Sequence, residues 1–313
     1  MNVIKLEHPH TYNKYDFPPL SIALGFFDGV HLGHQQVIRS AIATAKENGW
    51  KSAVMTFNPH PLAVLKKGQA VHYITSLQDK VSLIENLGVD YLFICNFTEA
   101  FASVSPQAFV DEFLIGLNVK HVTAGFDYSY GKFGKGTMET LPEHAHGAFT
   151  QTTIGRIDME DEKVSSTRIR KALSEGQMDA FKQLTGRYYT TTGIVVHGEK
   201  RGRELGFPTA NTEIGDNVII PSIGIYAVRV LVDGIWHRGV CSVGYKPTFH
   251  DEHPDIPFVE VYIIDFDQTI YDDKITIEWH KRLRGEIKFT SVDALIDQIT
   301  ADTENTKQYF NKI

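Results

Sequence analysis

The strongest constraint on how this chain can fold is a change of rhythm. Up to about residue 185, short apolar runs at Ser21–Leu24, Ser52–Phe57, Tyr91–Phe97 and His121–Phe126 alternate with stretches of helical period. Val37, Ile38, Ala41, Ile42 and Ala45 follow the 3.6-residue repeat. So do Val81, Ile84 and Leu87, and then Phe109, Val110, Phe113, Leu114 and Leu117. Short apolar runs suit strands buried on both faces, and helices between them supply the crossovers that parallel strands need. Ser166–Thr185 reads as one or two further helices. After that come strand signals only: Gly193–His197, Ile225–Val232, Ile235–Val243, Phe258–Phe266 and Lys274–Trp279, with Asp233-Gly234 as a hairpin turn. A closing helix carries Val292, Leu295, Ile296 and Ile299. The expectation is an α/β domain with a Rossmann-like parallel sheet over residues 1–185. A mainly antiparallel β domain, a small barrel or sandwich, with a C-terminal helix, follows over 186–313.

A length of 313 residues accommodates two such domains. The net charge of −7 argues against a broad basic surface, so no nucleic-acid partner is expected, while a small local phosphate site stays open. Cys95 and Cys241 sit in apolar runs without metal-ligand spacing, as buried thiols do in a reducing compartment. The N-terminus, MNVIKLEHPHTYN, has no long apolar stretch and no window reaches 18 apolar residues. No signal peptide, no membrane partner and a cytoplasmic location are therefore expected.

Chemistry concentrates first in SIALGFFDGVHLGH, residues 21–34. A strand gives way to glycines and then to a helix. A helix that starts beyond the carboxyl end of a parallel strand presents unpaired N–H groups and a positive dipole end, which together make an anion site. Gly25, Gly29 and Gly33 would let backbone approach phosphate. His31 and His34, one turn apart, could both donate hydrogen bonds to it, which suggests nucleotidyl transfer. Two surface histidines on a glycine-rich turn are the plainer alternative. No Gly-Lys-Ser/Thr follows, so this is not a Walker loop. In VSSTRIRKAL, residues 164–173, a helix-capping hydroxyl from Ser165, Ser166 or Thr167 is followed by Arg168 and Arg170. That set suits a triphosphate tail, or simply caps a helix.

The β half carries its own candidates. GIVVHGEKRGRELGFPTAN, residues 193–211, joins glycines to Lys200, Arg201 and Arg203, a composition that suits a loop over phosphates or a basic surface loop. Thr209 and Asn211 share a strand face and offer hard oxygen donors suited to Mg²⁺ held mainly by nucleotide phosphates. Glu260 alternates with Val259 and Val261 and so points away from their face. It is either a solvent-facing residue or a general base for an attacking hydroxyl.

The histidine and Ser-Ser-Thr segments resemble the nucleotidyltransferases with the H-x-G-H signature. With TFNPHP (Thr56–Pro61) and GFDYSYG (Gly125–Gly131) the match narrows to the FMN adenylyltransferase module of the bacterial bifunctional riboflavin kinase/FMN adenylyltransferases, the FAD synthetases. HGEKRGRELGFPTAN, SVGYKPTF (Ser242–Phe249), VEVYIIDF and LRGEIKF (Leu283–Phe289) resemble the β-barrel flavokinase module of the same family.

The resemblance implies two reactions: riboflavin and ATP giving FMN in the C-terminal module, then FMN and a second ATP giving FAD and pyrophosphate in the N-terminal one. ATP is the co-substrate of both, and riboflavin, FMN and FAD are the other small-molecule partners. It implies Mg²⁺ at Thr209 and Asn211, and Glu260 as the base for the riboflavin 5′-hydroxyl. Lys200, Arg201 and Arg203 would serve the nucleotide phosphates of the kinase. His31 and His34 would be the catalytic histidines of adenylyl transfer. Gly25, Phe26, Asp28, Gly33, Asp127, Ser166, Thr167 and Arg170 would lie about the ATP, and Phe57, Pro59, His60 and Tyr130 about the flavin. The FMN phosphate is already anionic, so adenylyl transfer needs no general base.

One loop departs from the family pattern. KFGKGTMET, residues 132–140, has Gly134 and Thr137 where many members carry Arg and then Asp or Asn. Lysine cannot reproduce bidentate arginine contacts, so this loop leaves a kinase with weak adenylyltransferase activity as an alternative. The others are a flavin-binding protein without turnover, and an adenylyltransferase for another phosphorylated acceptor. His144 and His146, in PEHAHG, read as a solvated loop without a role. Assembly into a homo-oligomer is left open.

Overall fold

A computed structural model describes residues 1–66, 71–198, 202, 205–215, 217–245 and 257–312. It divides into two compact units, Met1–Ser166 and Thr167–Ile313.

The first unit is a parallel sheet clothed on both faces. Its elements are β1 (Asn2–Leu6), β2 (Leu20–Leu24), α1 (Leu32–Asn48), β3 (Lys51–Asn58), α2 (Pro61–Leu65), α3 (Leu77–Glu85), β4 (Tyr91–Asn96), α4 (Glu99–Ala102), α5 (Pro106–Val110) and β5 (Val119–Gly125). A π turn over Asp111–Ile115 continues α5. The hairpin β6 (Ser129–Tyr130) and β7 (Gly136–Thr137), α6 (Leu141–Ala145), β8 (Thr150–Ile154) and the hairpin β9 (Asp158–Met159) and β10 (Glu162–Lys163) follow. The strand order is β1-β4-β3-β2-β5-β8, and every pairing in this sheet is parallel. The central strand β2 is buried along its whole length, as its unbroken apolar run requires. Alternate strand residues feed two cores. Ala23, Val54, Leu92 and Ile94 meet Val37, Ile38 and Ala41 of α1 on one face. Ile22, Leu24, Met55 and Phe93 meet Phe101, Phe109, Phe113 and Leu114 on the other.

From β2 the chain winds to β3 and β4 on one side, then returns to β5 on the opposite side. The switch point of this open sheet is therefore the carboxyl end of β2 and β5, where Leu24 pairs with Ala124. Gly25 follows β2 there, and Gly125 ends β5.

The second unit starts at Thr167, within α7 (Ser166–Ser174), and continues with α8 (Met178–Thr185). A closed antiparallel barrel of β11 (Tyr189–Val196), β12 (Thr209–Ile214), β13 (Gly224–Val232), β14 (Ile235–Gly244), β15 (Phe258–Ile263) and β16 (Lys274–Arg284) follows, in the order β11-β12-β15-β14-β13-β16. Closure removes the sheet edges, which settles barrel over sandwich. Asp233 and Gly234 turn β13 into β14 with φ of 48° and 81°, the positive pair that a tight hairpin turn needs. Tyr226, Val261, Ile277 and Trp279 fill the interior, where the Trp279 indole donates to Thr191 Oγ1 at 2.9 Å. The C-terminal helix α9 (Val292–Phe310) is anchored by Asp302, almost fully buried, which accepts from Arg284 Nε and Nη2 at 3.0 and 2.7 Å. The sequence put α7 and α8 before the domain boundary, at 185/186. In the structure they pack with the barrel: α8 lies on β11 and β16, and the Ser222 N–H donates to Leu173 O at 3.0 Å.

Candidate active sites

The turn from β2 to α1 is built from glycine and aromatic packing. A Cβ at Gly25 would lie 2.7 Å from the Phe27 ring, and one at Gly33 would lie 3.1 Å from the His31 ring. Gly29 has φ of +83°. These glycines thus make room for neighbouring rings and for the turn itself, a reason the sequence reading, which gave them to phosphate approach, did not contain. His31 is the N-cap of α1: its Nδ1 accepts the His34 N–H at 3.1 Å, which leaves the proton on Nε2. Its ring stacks on His34, centroids 3.5 Å apart and 16° from parallel. Burial pushes His31 down to about 4, and pushes His34 well below the usual imidazole value. Both rings are neutral at pH 7, and His34 Nδ1 is buried with no partner among the described residues.

Around them the unit gathers several of the expected residues. Asp28 is buried, and its Oδ1 accepts the backbone N–H groups of Ile74 and Thr75 at 3.0 and 3.3 Å, which clamps the turn to the head of α3. The Asp28 carbonyl accepts from Ser166 Oγ at 2.9 Å. The Phe26 carbonyl accepts from Thr56 Oγ1 at 2.8 Å and from Lys80 Nζ at 3.0 Å. The Phe26 ring meets His60, centroids 4.2 Å apart. His60 follows Pro59 and caps α2, its Nδ1 accepting from Leu62 N–H at 3.0 Å. Asp127, just beyond β5, pairs with Lys163 of β10, and both charges act on His31. Thr167 and Arg170 continue α7 from Ser166, within the second unit.

Two expected flavin residues sit in the core. Phe57 packs among buried side chains. Tyr130 is 4% exposed; its ring lies on Phe109 and its hydroxyl on His144 Nδ1 at 2.7 Å. Tyr130 thereby supports its loop from below. His144, read as solvated, belongs to α6 and completes that contact; its carbonyl accepts from Gln107 Nε2 at 3.0 Å. The sequence reading also missed Lys80 and Lys163. Lys80 follows the polar pair Gln78-Asp79, so nothing in its neighbourhood announces burial.

In the barrel, Thr209 and Asn211 alternate with the buried Ala210 and Thr212, so they share a face as expected. Asn211 stands directly opposite Glu260, and Glu260 directly opposite Ser242, so β12, β15 and β14 set amide, carboxylate and hydroxyl in one row. Thr209 and Asn211 line a cavity of about 300 Å³ with Gly198, Pro208, Val261 and Tyr271. A Cβ at Gly198 would overlap the Asn211 amide. Lys200, Arg201 and Arg203, and the end of SVGYKPTF, lie outside the described residues.

A parallel sheet with an H-x-G-H turn at its switch point, followed by a closed barrel and a C-terminal helix, defines a nucleotidyltransferase-type domain joined to a flavokinase-type domain. The comparisons agree. A family model for FAD synthetase matches residues 14–168 and one for riboflavin kinase matches 185–310. The bifunctional riboflavin kinase/FMN adenylyltransferase of Bacillus subtilis (strain 168) is 46% identical over 314 residues, covering 100% of this chain and 99% of that protein. The protein of the same name from Listeria monocytogenes is 45% identical over the same shares. A crystal structure described as a macrolide-efflux protein from Streptococcus pneumoniae is 34% identical, with a TM-score of 0.87 over 97% of this chain and 99% of that one. The chain belongs to the family of bifunctional riboflavin kinase/FMN adenylyltransferases. Among the described residues no helix is long and apolar enough to cross a membrane.

Proposed function

We infer that this chain makes FAD from riboflavin by two ATP-dependent transfers, phosphorylation followed by adenylylation. The observation that carries the reading is that one chain matches both family models, with the H-x-G-H turn and the Thr209/Asn211/Glu260 set each in its own unit. For the chemistry we take 1–185 as the adenylyltransferase module and 186–313 as the kinase module, although α7 and α8 pack with the barrel.

In the first module, a phosphate oxygen of FMN attacks the α-phosphorus of ATP, and the bond to pyrophosphate breaks. The nucleophile is an anion, so no proton has to move. What the reaction needs is positioning and donors aimed at developing charge. His31 offers Nε2–H from a neutral ring fixed by the helix cap, and His34 stacks against it. The helix N-terminus and Ser166 hold the phosphates, and the family motif assigns Thr167 and Arg170 to the same task. Asp28 acts by clamping the turn, Asp127 and Lys163 flank it, and Pro59 and His60 stand at the flavin side. In the second module, Glu260 takes the proton of the riboflavin 5′-hydroxyl as its oxygen attacks the γ-phosphorus and ADP departs. Lys200, Arg201 and Arg203 serve the ATP phosphates of this module.

Mg²⁺ suits the donor set of the barrel. Thr209 and Asn211 present hydroxyl and amide oxygens to one cavity, and Gly198 leaves the amide room. Among the described residues no group of three or more His, Cys, Asp or Glu could hold a metal, so the ion would be bound largely through nucleotide phosphates. When bound it neutralises phosphate charge. The setting is the cytoplasm, where ATP and riboflavin are available.

A second reading is kept for the departing loop. Phe133, in the turn between β6 and β7, is 83% exposed with φ of 58° and follows Lys132, with Lys135 two residues on, which gives this loop a surface unlike the family pattern. A time course with riboflavin, ATP and Mg²⁺, resolved by chromatography, tests both. FMN that rises and then yields to FAD supports two working modules. FMN that accumulates without FAD supports a kinase alone.

A further inference from the structure

The first unit holds a charge to which the mechanism above gives no task. Lys80 lies on α3 and is 2% exposed. Its ammonium donates to the Phe26 carbonyl at 3.0 Å, reaches the Thr56 hydroxyl at 3.5 Å and stands 4.1 Å from the centre of the Phe26 ring. Among the described residues no carboxylate lies within ion-pair distance of it. The acid that acts on it is Asp28, whose Oδ1 is already engaged by two backbone N–H groups. A buried ammonium that meets only a carbonyl, a hydroxyl and a ring face is under-compensated, because buried charge is costly unless paired. Desolvation accordingly pushes Lys80 down to about 8, against the opposing pull of Asp28. The location is what gives this charge meaning. Phe26 and Thr56 lie at the carboxyl ends of β2 and β3, beside the turn that leads to His31. The Lys80 charge is also felt at His34.

We propose that Lys80 is a positioning residue of adenylyl transfer: it fixes the Phe26–Thr56 turn and supplies the buried positive field whose missing counter-charge is the phosphate chain of the incoming nucleotide. The proposal rests on the adenylyltransferase reading of the first module. It assigns to α3, which carries none of the motif residues, the electrostatic floor of the site.

The test compares wild-type protein with Lys80→Met and Lys80→Arg. FMN-to-FAD conversion, riboflavin phosphorylation, ATP binding and thermal stability are each followed from pH 6.5 to 9.5. The titratable groups around Lys80 are Asp28 on the turn, His34 on α1, and His60 and Tyr73 across the Phe26 ring. The arginine variant separates the Lys80 limb from theirs. Lys80→Met lowers kcat/KM for FAD formation about 10²-fold, the usual effect of removing one preorganised electrostatic contact, and leaves riboflavin phosphorylation unchanged. In the wild type, FAD formation falls as pH rises through about 8 and the ammonium is lost. Lys80→Arg restores activity and holds it at pH 9, because guanidinium stays charged.

Stability moves the opposite way. A folded lysine with a lowered pKa binds fewer protons than the unfolded one, so its contribution to stability improves as pH rises above about 8. A purely structural lysine could not lose activity while the fold gains. Lys80→Met with wild-type FAD formation overturns the proposal. So does a loss matched by lost thermal stability with the pH limb unchanged. Protein that binds ATP and never converts FMN overturns the activity instead; the wild-type minus Lys80→Met difference in pH-dependent ATP binding still reads the role of Lys80.

Discussion

The two units solve the problem of phosphate chemistry with different materials. The sheet unit uses a turn. Its groups are buried, its imidazoles are neutral, and glycines exist to let rings pack against one another. The barrel unit uses a strand face. Asn211, Glu260 and Ser242 stand in a row by strand pairing alone, and Asn211 also lines a cavity with Thr209. The difference follows from the nucleophile. FMN phosphate arrives as an anion and asks for donors and field, which burial strengthens. A riboflavin hydroxyl must lose a proton, and that asks for a base within hydrogen-bond reach, such as a carboxylate on a strand face.

If this division holds, exchanging the deficits should exchange the phenotypes. Glu260→Ala should reduce FMN formation by about 10³-fold, within the range of general base catalysis, and leave FMN-to-FAD conversion intact. His31→Ala should do the reverse. Separate assays with riboflavin and with FMN decide it, and a variant that disables both reactions while folded would contradict two separate sites.

The glycines sharpen the contrast. Gly198→Ala forces a methyl into the Asn211 amide, which must swing out of its place opposite Glu260. Kinase activity should fall about 10²-fold, as it does when a reactive geometry is displaced by roughly 1 Å. Gly33→Ala approaches the His31 ring at 3.1 Å, a contact that a small tilt of the stacked rings can relieve. FAD formation should drop only about tenfold. Equal effects would mean that the stacked histidines are as rigid as the barrel wall.

How much of this was legible depends on burial on both sides. Strands β2, β3, β4 and β5 announce themselves because a central parallel strand must be apolar throughout. The edge strands β1 and β8 do not. Thr150–Ile154, TQTTI, is mostly polar and half exposed, so no apolar run marks it. The H-x-G-H turn and the Thr209/Asn211 alternation were legible because spacing alone puts the groups on one face. Lys80, Lys163 and the Tyr130–His144 contact were not, since each depends on which element folds over which. A lysine in LQDKVSLIE reads as solvent-facing until α3 is laid against the β2 turn.

Acid separates the units by stability. His31 and His34 stay neutral in the folded chain, while unfolded histidines protonate near 6.5. Between about pH 6.5 and 4 the unfolded state therefore binds more protons, and the first unit loses stability as pH falls through that window. Calorimetry at pH 7.5 and 5.5 should show its transition fall by about 5 °C, with much of that dependence removed in a His31→Gln/His34→Gln variant.

The smallest effect decides what Tyr130 is for. If it is a core support, Tyr130→Phe loses one hydrogen bond to His144 and keeps the ring on Phe109. That costs about 1 kcal/mol, because the loss leaves the His144 nitrogen to find water and nothing else changes. The first unit should then melt about 2–4 °C lower while KM for FMN stays as it was. If instead the hydroxyl turns outward to meet flavin, the stability is unmoved and KM for FMN rises. The two readouts move in opposite patterns. A single conservative substitution thus tells whether the loop after β5 recognises FMN through Tyr130 or is merely held in place by it, leaving recognition to groups nearer the H-x-G-H turn.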